Sequence, residues 1–188
     1  MLNLTRIWRR IGLRGLEHLT LQQVKGGYRV DSVLSVEVEL GGVTCEYHFD
    51  LDEHWRTKTF NITQNQAAED RLMRIDRISH SEWTVDGIAR PDLSGCLDID
   101  ITVSPFTNTL AIHQLNLAPN EAQEMTAVYV QVPQMEVISS RQRYQRLDPA
   151  EPPRRFLYSG LDTGFIQEIT VDEHGLVERY PRFAETVG

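Results

Sequence analysis

Apolar residues recur at every second position along much of this chain. Val36, Val38 and Leu40 alternate with Ser35, Glu37 and Glu39, and after Gly41-Gly42 the alternation resumes with Val43, Cys45, Tyr47, Phe49 and Leu51. A period of two puts such side chains on one face of an extended strand, so the two runs predict a β-hairpin turning at Gly41-Gly42. That turn sets Leu40 opposite Val43, Val38 opposite Cys45 and Val36 opposite Tyr47. It also sets Glu37 across from Glu46, and like charges directly opposed are unfavourable unless that face is wet.

A second alternating run places Leu97, Ile99, Ile101 and Val103 on one face and Asp98, Asp100 and Thr102 on the other, stopped at Ser104-Pro105 because proline removes a ladder donor. Further strands are predicted at 28–33, 55–62, 72–77, 83–85, 126–132, 135–138, 155–159, 165–171 and 176–180. Asp86-Gly87, Pro119-Asn120 and the Asp172 to Gly175 stretch supply turn chemistry between them. Helix-compatible spacing occurs only over Thr5–Ile11 and Gln64–Arg71, both too short to form a layer. About ten short strands must cover their apolar faces with one another. The fold class is therefore mainly β: one highly curved antiparallel sheet, rolled or partly closed as a barrel, with at most short helices, and such rolls often enclose a cavity.

At 188 residues and 40% hydrophobic the chain reads as one globular domain, residues 1–188. Its formal charge of -8 argues against a nucleic-acid partner, whose phosphates reward clustered Lys and Arg. The Arg-interrupted N-terminus reads as no signal peptide, and no apolar stretch reaches the roughly 18 residues a transmembrane span needs. A cytoplasmic location is expected, with Cys45 and Cys96 as buried thiols. No HExxH, GxSxG, phosphate loop or dinucleotide fingerprint is present, so neither a cofactor nor a metal is expected.

The block Gly95-Cys96-Leu97-Asp98-Ile99-Asp100-Ile101-Thr102-Val103-Ser104-Pro105-Phe106-Thr107-Asn108-Thr109-Leu110 resembles the signature of a bacterial family named "putative glycolipid-binding", also known as a domain of unknown function. Gly15-Leu16-Glu17-His18-Leu19, Asp52 with Trp55-Arg56, Trp83 with Asp86-Gly87, Gln142-Arg143-Tyr144, Gly164-Phe165, Val171-Asp172, Gly175-Leu176-Val177 and Tyr180-Pro181 follow in the family's order, so the resemblance covers essentially the whole chain. It implies a spiral β-roll similar to lipoprotein carriers, and a glycolipid or other amphipathic small molecule as ligand. The sequence departs from the family's pattern after Leu110, where Ala111-Ile112-His113-Gln114-Leu115 stands in place of Pro-Ile-Arg-Arg-Leu. If those arginines hold an anionic head group in relatives, His113 and Gln114 weaken that contact here.

Six residues are candidates for ligand binding. Asp98 and Asp100 share a strand face and suit a cation, a sugar hydroxyl or a shared proton, against a solvated polar face as the plainer reading. The segment from Pro105 to Thr109 suits either head-group recognition or backbone capping, with Asn108 fit for both. Trp55, Trp83, Tyr129, Tyr144, Phe156 and Tyr158 suit a pocket wall or ordinary core, and Trp83 and Tyr144 are favoured for the pocket because polar residues flank them. His113 completes the set. The leading expectation is a non-catalytic binding protein. The alternatives are an enzyme acting on a lipid or sugar derivative through Asp98, Asp100 and His113, and a protein-interaction module with an exposed apolar patch.

Overall fold

A computed structural model describes residues 2–38, 41–149 and 151–187. The elements in chain order are β1 (Asn3–Arg10), β2 (Gly15–Val24), β3 (Gly27–Val38), β4 (Gly41–Leu51), β5 (Thr57–Gln66), β6 (Glu69–Arg77), β7 (Trp83–Val85), β8 (Ile88–Ala89), a 3₁₀ turn (Pro91–Leu93), β9 (Ile99–Ile101), α1 (Thr107–Leu115), β10 (Ala122–Gln131), β11 (Glu136–Arg146), β12 (Arg155–Gly160), β13 (Phe165–Val171), β14 (Val177–Tyr180) and β15 (Ala184–Thr186). Among the described residues the fifteen strands belong to one sheet, in the order β8-β7-β6-β5-β4-β3-β2-β1-β15-β14-β13-β12-β11-β10-β9. Two meanders are thus joined where β1 pairs with β15. Every pairing is antiparallel except β9 with β10, which is parallel, so the sheet is mixed and its ends, β8 and β9, do not close it into a barrel. Among the described residues no helix is long and apolar enough to cross a membrane.

The hairpin of the 35–52 region forms with a register other than the one Gly41-Gly42 suggests. Val36 lies opposite Val43, Leu34 opposite Cys45 and Ser32 opposite Tyr47, while Glu37 faces Gly42 and Glu46 faces Val33. Both glycines belong to β4, and Leu40 lies outside the described residues. The displacement is by an even number of residues, so the described apolar side chains of the pattern keep their inward face and the expected Glu37–Glu46 opposition does not arise. The two helix-compatible segments are strands. Thr5–Ile11 falls largely in β1, which alternates Trp8 in the core with exposed Arg9. Gln64–Arg71 spans the end of β5, a turn and the start of β6, with Ala67 and Ala68 both at positive φ, 53° and 63°. Positive φ at both central residues is the backbone twist that a two-residue hairpin turn requires.

The helix occurs instead at Thr107–Leu115, and Thr107 to Ile112 are all buried. A helix surrounded by protein carries no polar stripe, so its sequence shows no 3.6-residue period. Phe106 and Leu110 pack into the larger core with Phe49, Phe60 and Trp8. Ala111 and Ile112 pack into a second core with Tyr144, Phe156 and Ile169. Asn116, in the left-handed conformation at φ 43°, ends the helix.

β9, β10 and β11 form an inner wall with chemistry on both faces. Ile99 beside Val128 and Ile101 beside Val130 face the larger core, whereas Asp100 beside Tyr129 faces the opposite way. The rolled sheet is fastened at this wall by Asp98, which is buried rather than solvated. Its carboxylate accepts hydrogen bonds from the Thr57 N–H and hydroxyl, the Ile99 N–H, Arg77 Nη2 at 2.9 Å and Gln114 Nε2 at 2.6 Å. Arg77 in turn lies over the Trp83 ring, 4.2 Å from its centroid, and donates to the Leu97 carbonyl. One carboxylate therefore ties β5, the end of β6 and α1 to the edge strand β9. Removing one partner of a buried ion pair leaves the other charge uncompensated, at a cost of about 3–5 kcal/mol. Asp98→Ala is expected to lower the unfolding free energy by about that amount in urea titration, and Asp98→Asn by less because it keeps one acceptor. A loss under about 1 kcal/mol for Asp98→Ala would show that the roll is held elsewhere.

Candidate functional site

A cleft of about 300 Å³ opens on the Asp100 side of the inner wall. Its floor is Asp100 and Ser104 with Asn108 from the first turn of α1, and Tyr129 and Ser140 come from β10 and β11. Tyr158 and Gly160 of β12, Phe165 of β13, Tyr180 of β14 and Phe183 complete the walls. The strand period explains the set. Tyr129 pairs with Ile138, Tyr144 with Tyr158, and Gly160 with Phe165, so these residues share one face of the sheet. The rings pack in a chain: Tyr144 meets Tyr158 edge-on at 5.3 Å, Tyr158 meets Tyr180 at 6.2 Å, and Tyr180 meets Phe183 at 4.9 Å.

Asp100 is held from both sides. Oδ1 accepts from the Thr107 hydroxyl at 2.6 Å and Oδ2 from Gln142 Nε2 at 2.6 Å. Burial raises its carboxyl above the ordinary carboxylate range, and those two donors oppose the shift. Asn108 donates Nδ2 to the Pro105 carbonyl at 3.1 Å and accepts from the Tyr144 hydroxyl at 2.9 Å. It therefore caps backbone and also lines the cleft.

Of the six sequence candidates, Asp100, Asn108 and Tyr144 come together here, the first two in the lining and Tyr144 buried behind Asn108. The other three lie elsewhere. Asp98 is the buried fastener. Trp83, 2% exposed, donates Nε1 to the Cys96 carbonyl at 3.2 Å. His113 stacks on Trp55 with centroids 3.9 Å apart and planes 4° from parallel, and Nε2 donates to the His174 carbonyl at 2.8 Å. Its far side is closed by Gly175, where an added Cβ would come within 2.9 Å of the His113 ring. Burial lowers the His113 pKa. Gln114 donates to Asp98 and to the Trp55 carbonyl. The two residues that stand in place of arginines are thus engaged with the β4–β5 connection and not with the cleft.

Sequence reasoning missed Tyr180, Phe183, Ser140 and above all Glu17. Inward-facing Glu17 on β2 is 1% exposed. Its Oε1 accepts from the hydroxyls of Tyr47, Ser104 at 2.8 Å and Ser32 at 3.1 Å, whereas Oε2 has no partner. Ser104 is shared between this cluster and the cleft floor. Burial raises the Glu17 carboxyl to about 7, against the pull of the three hydroxyls and of Arg10. The legible signal was its place among apolar residues, Leu19 and Leu21, on the buried side of β2. Cys45 and Cys96 are free and buried, and burial pushes their thiols up to about 12 and about 11. A separate hollow of about 350 Å³ on the outer face of β2–β5 carries His18, Asp31, Glu46 and His48, where His48 Nδ1 is already engaged with Asp31 Oδ1 at 2.5 Å.

A family model described as "Putative glycolipid-binding" matches residues 5–186. Among solved structures, the crystal structure of a DUF1089 family protein from Pseudomonas aeruginosa is similar, with 31% sequence identity, a TM-score of 0.81, and coverage of 91% of this chain and 92% of that chain. None of the curated proteins matches this chain.

Glu17 makes a prediction about stability. Its folded-state pKa, about 7, lies above the ordinary value of 4.5, so between those values the folded protein binds more protons than the unfolded chain. Stability from this group is present at low pH and is lost as pH rises from 4.5 through 7, by up to about 3 kcal/mol. Unfolding free energies of the wild type and Glu17→Gln, measured at pH 5 and pH 8, are expected to converge at pH 5 and to favour the variant at pH 8. A difference that stays constant with pH would place the Glu17 proton elsewhere.

Proposed function

Because the chain belongs to the family described as "Putative glycolipid-binding", we propose that it is a non-catalytic binding protein for a glycolipid, with the polar head in the Asp100 cleft. The observation that carries this reading is the meeting of aromatic rings with hydrogen-bonding side chains in one recess. Sugars present C–H faces to rings and hydroxyls to polar groups, and Tyr129, Tyr158, Phe165, Tyr180 and Phe183 stand around Asp100, Asn108 and Ser140. At about 300 Å³ the cleft is at the small end of ligand sites, sized for a head group and not for a whole lipid. The apolar chain then leaves over the rim, where Phe165 and Ile138 are 39% and 43% exposed. The enzymatic alternative has less support, because Asp98 is saturated with donors and neither it nor His113 lines the cleft with Asp100.

Octyl β-D-glucoside below its micelle threshold is expected to shift the amide NMR resonances of Asn108, Ser140 and residues 158–165, whereas 1-octanol leaves the Asn108 resonance unmoved. Ser140→Trp, which fills the cleft from a half-buried strand position, is expected to abolish those shifts while keeping the thermal midpoint within a few degrees. Shifts confined to another face, or shifts undiminished in Ser140→Trp, would remove the cleft from the proposal.

A further inference from the structure

We infer that the cleft selects an uncharged, hydroxyl-rich head group and rejects an anionic one, with Asp100 as the discriminating residue. This deepens the glycolipid reading and rests on it. The first observation is a surplus of hydroxyls. Among the described residues, the phenol oxygens of Tyr129, Tyr158 and Tyr180 and the Ser140 hydroxyl face the cleft with no protein hydrogen-bond partner. Tyr180 is only 5% exposed as a residue, and its phenol oxygen is not among the buried unpartnered atoms, so the little surface it keeps includes its hydroxyl. A ligand that both donates and accepts satisfies such groups, because each hydroxyl offers one proton and two lone pairs. Burial and the Asp100 charge push the Tyr129 phenol up to about 12 and raise those of Tyr158 and Tyr180 as well, so all three remain protonated donors at neutral pH.

The second observation is the charge balance of the lining. Asp100 is its one ionisable carboxyl, and no Lys, Arg or His is among the described residues that form it. Arg10 is not in the lining but lies against it: its guanidinium stacks on the Phe183 ring at 3.6 Å, donates Nη1 to the Val103 carbonyl at 3.1 Å, and has Glu17 and then Tyr180 as electrostatic partners. Thr107 and Gln142 each occupy one acceptor position on an Asp100 oxygen and the Ile101 N–H adds a weaker contact, against about four lone-pair sites on a carboxylate. The remaining lone pairs accept readily from a sugar hydroxyl. A phosphate, sulfate or carboxylate in the same place meets a like charge in a poorly screened recess, with no cation in the lining to offset it. The overall charge of -8 acts in the same direction at longer range.

The test compares two amphiphiles with the same tail, octyl β-D-glucoside and octyl β-D-glucuronide, which differ by a hydroxymethyl against a carboxylate. Titration calorimetry at pH 7.5 on the wild type is expected to favour the glucoside by about tenfold or more. Asp100→Asn keeps the side chain's shape and one acceptor while removing its charge, and it is expected to bring the two affinities within about threefold, mainly by improving the glucuronide. Equal or tighter binding of the glucuronide by the wild type overturns the selectivity while leaving the glycolipid reading in place, as does a ratio unchanged in Asp100→Asn. Binding of neither amphiphile, with Asp100→Asn and wild type sharing the same unfolding midpoint, overturns both.

Discussion

Five donors converge on the Asp98 carboxylate, and the architecture depends on them because the sheet has no ladder to close it. A sheet that rolls without closing leaves two end strands, and such edges must be covered or tied. Here the tie is electrostatic: β9 is drawn against β5 and β6 through Thr57 and Arg77, and α1 is drawn in through Gln114. The same fastening fixes which way β9 faces. With Asp98 turned to the closure, Ile99 and Ile101 enter the larger core, and Asp100 is presented to the other side of the wall, where the cleft lies.

Two carboxylates on one three-residue stretch thus have opposite uses. Asp98 is saturated by protein and leaves no capacity for a ligand. Asp100 is less fully engaged, with Thr107 and Gln142 orienting it and the Ile101 N–H adding to them. Beneath it, Ser104 links the floor to Glu17, whose second oxygen is unpartnered and whose proton is retained into the neutral range. The site is therefore built on rigid elements, a strand edge and the first turn of a buried helix, which limits the rearrangement binding requires.

Much of the fold was legible because strands announce themselves by alternation. β7 and β13 fall at the positions their alternation indicates, and Asp86-Gly87 and the Asp172 to Gly175 turn carry the positive φ angles their residue types favour. Register was not legible at β3–β4, since an even shift preserves every inward face and the pattern cannot distinguish the two pairings. The helix was hidden for the opposite reason: packed on all sides, it needs no polar stripe. Asp100 and Asn108, which line the cleft, stand in the signature block, and Tyr144, behind Asn108, was singled out by its polar neighbours. Tyr180 and Phe183 were not, because only the curvature of the sheet brings β14 and its following turn over β9, and curvature leaves no local trace in the sequence. Trp83 was favoured for a pocket because polar residues flank it; it lines a separate recess of about 330 Å³ with Ile78 and Pro91, away from the Asp100 cleft, and its ring is the surface on which Arg77 rests.

The central claim is that this roll holds a neutral glycolipid by its head. Native mass spectrometry of protein purified without detergent, followed by solvent extraction and fragmentation of whatever is released, tests it most directly. The account predicts a bound species near one per chain that fragments to an uncharged sugar and an acyl or alkyl part. A bound phospholipid or other anionic lipid at that occupancy would contradict it.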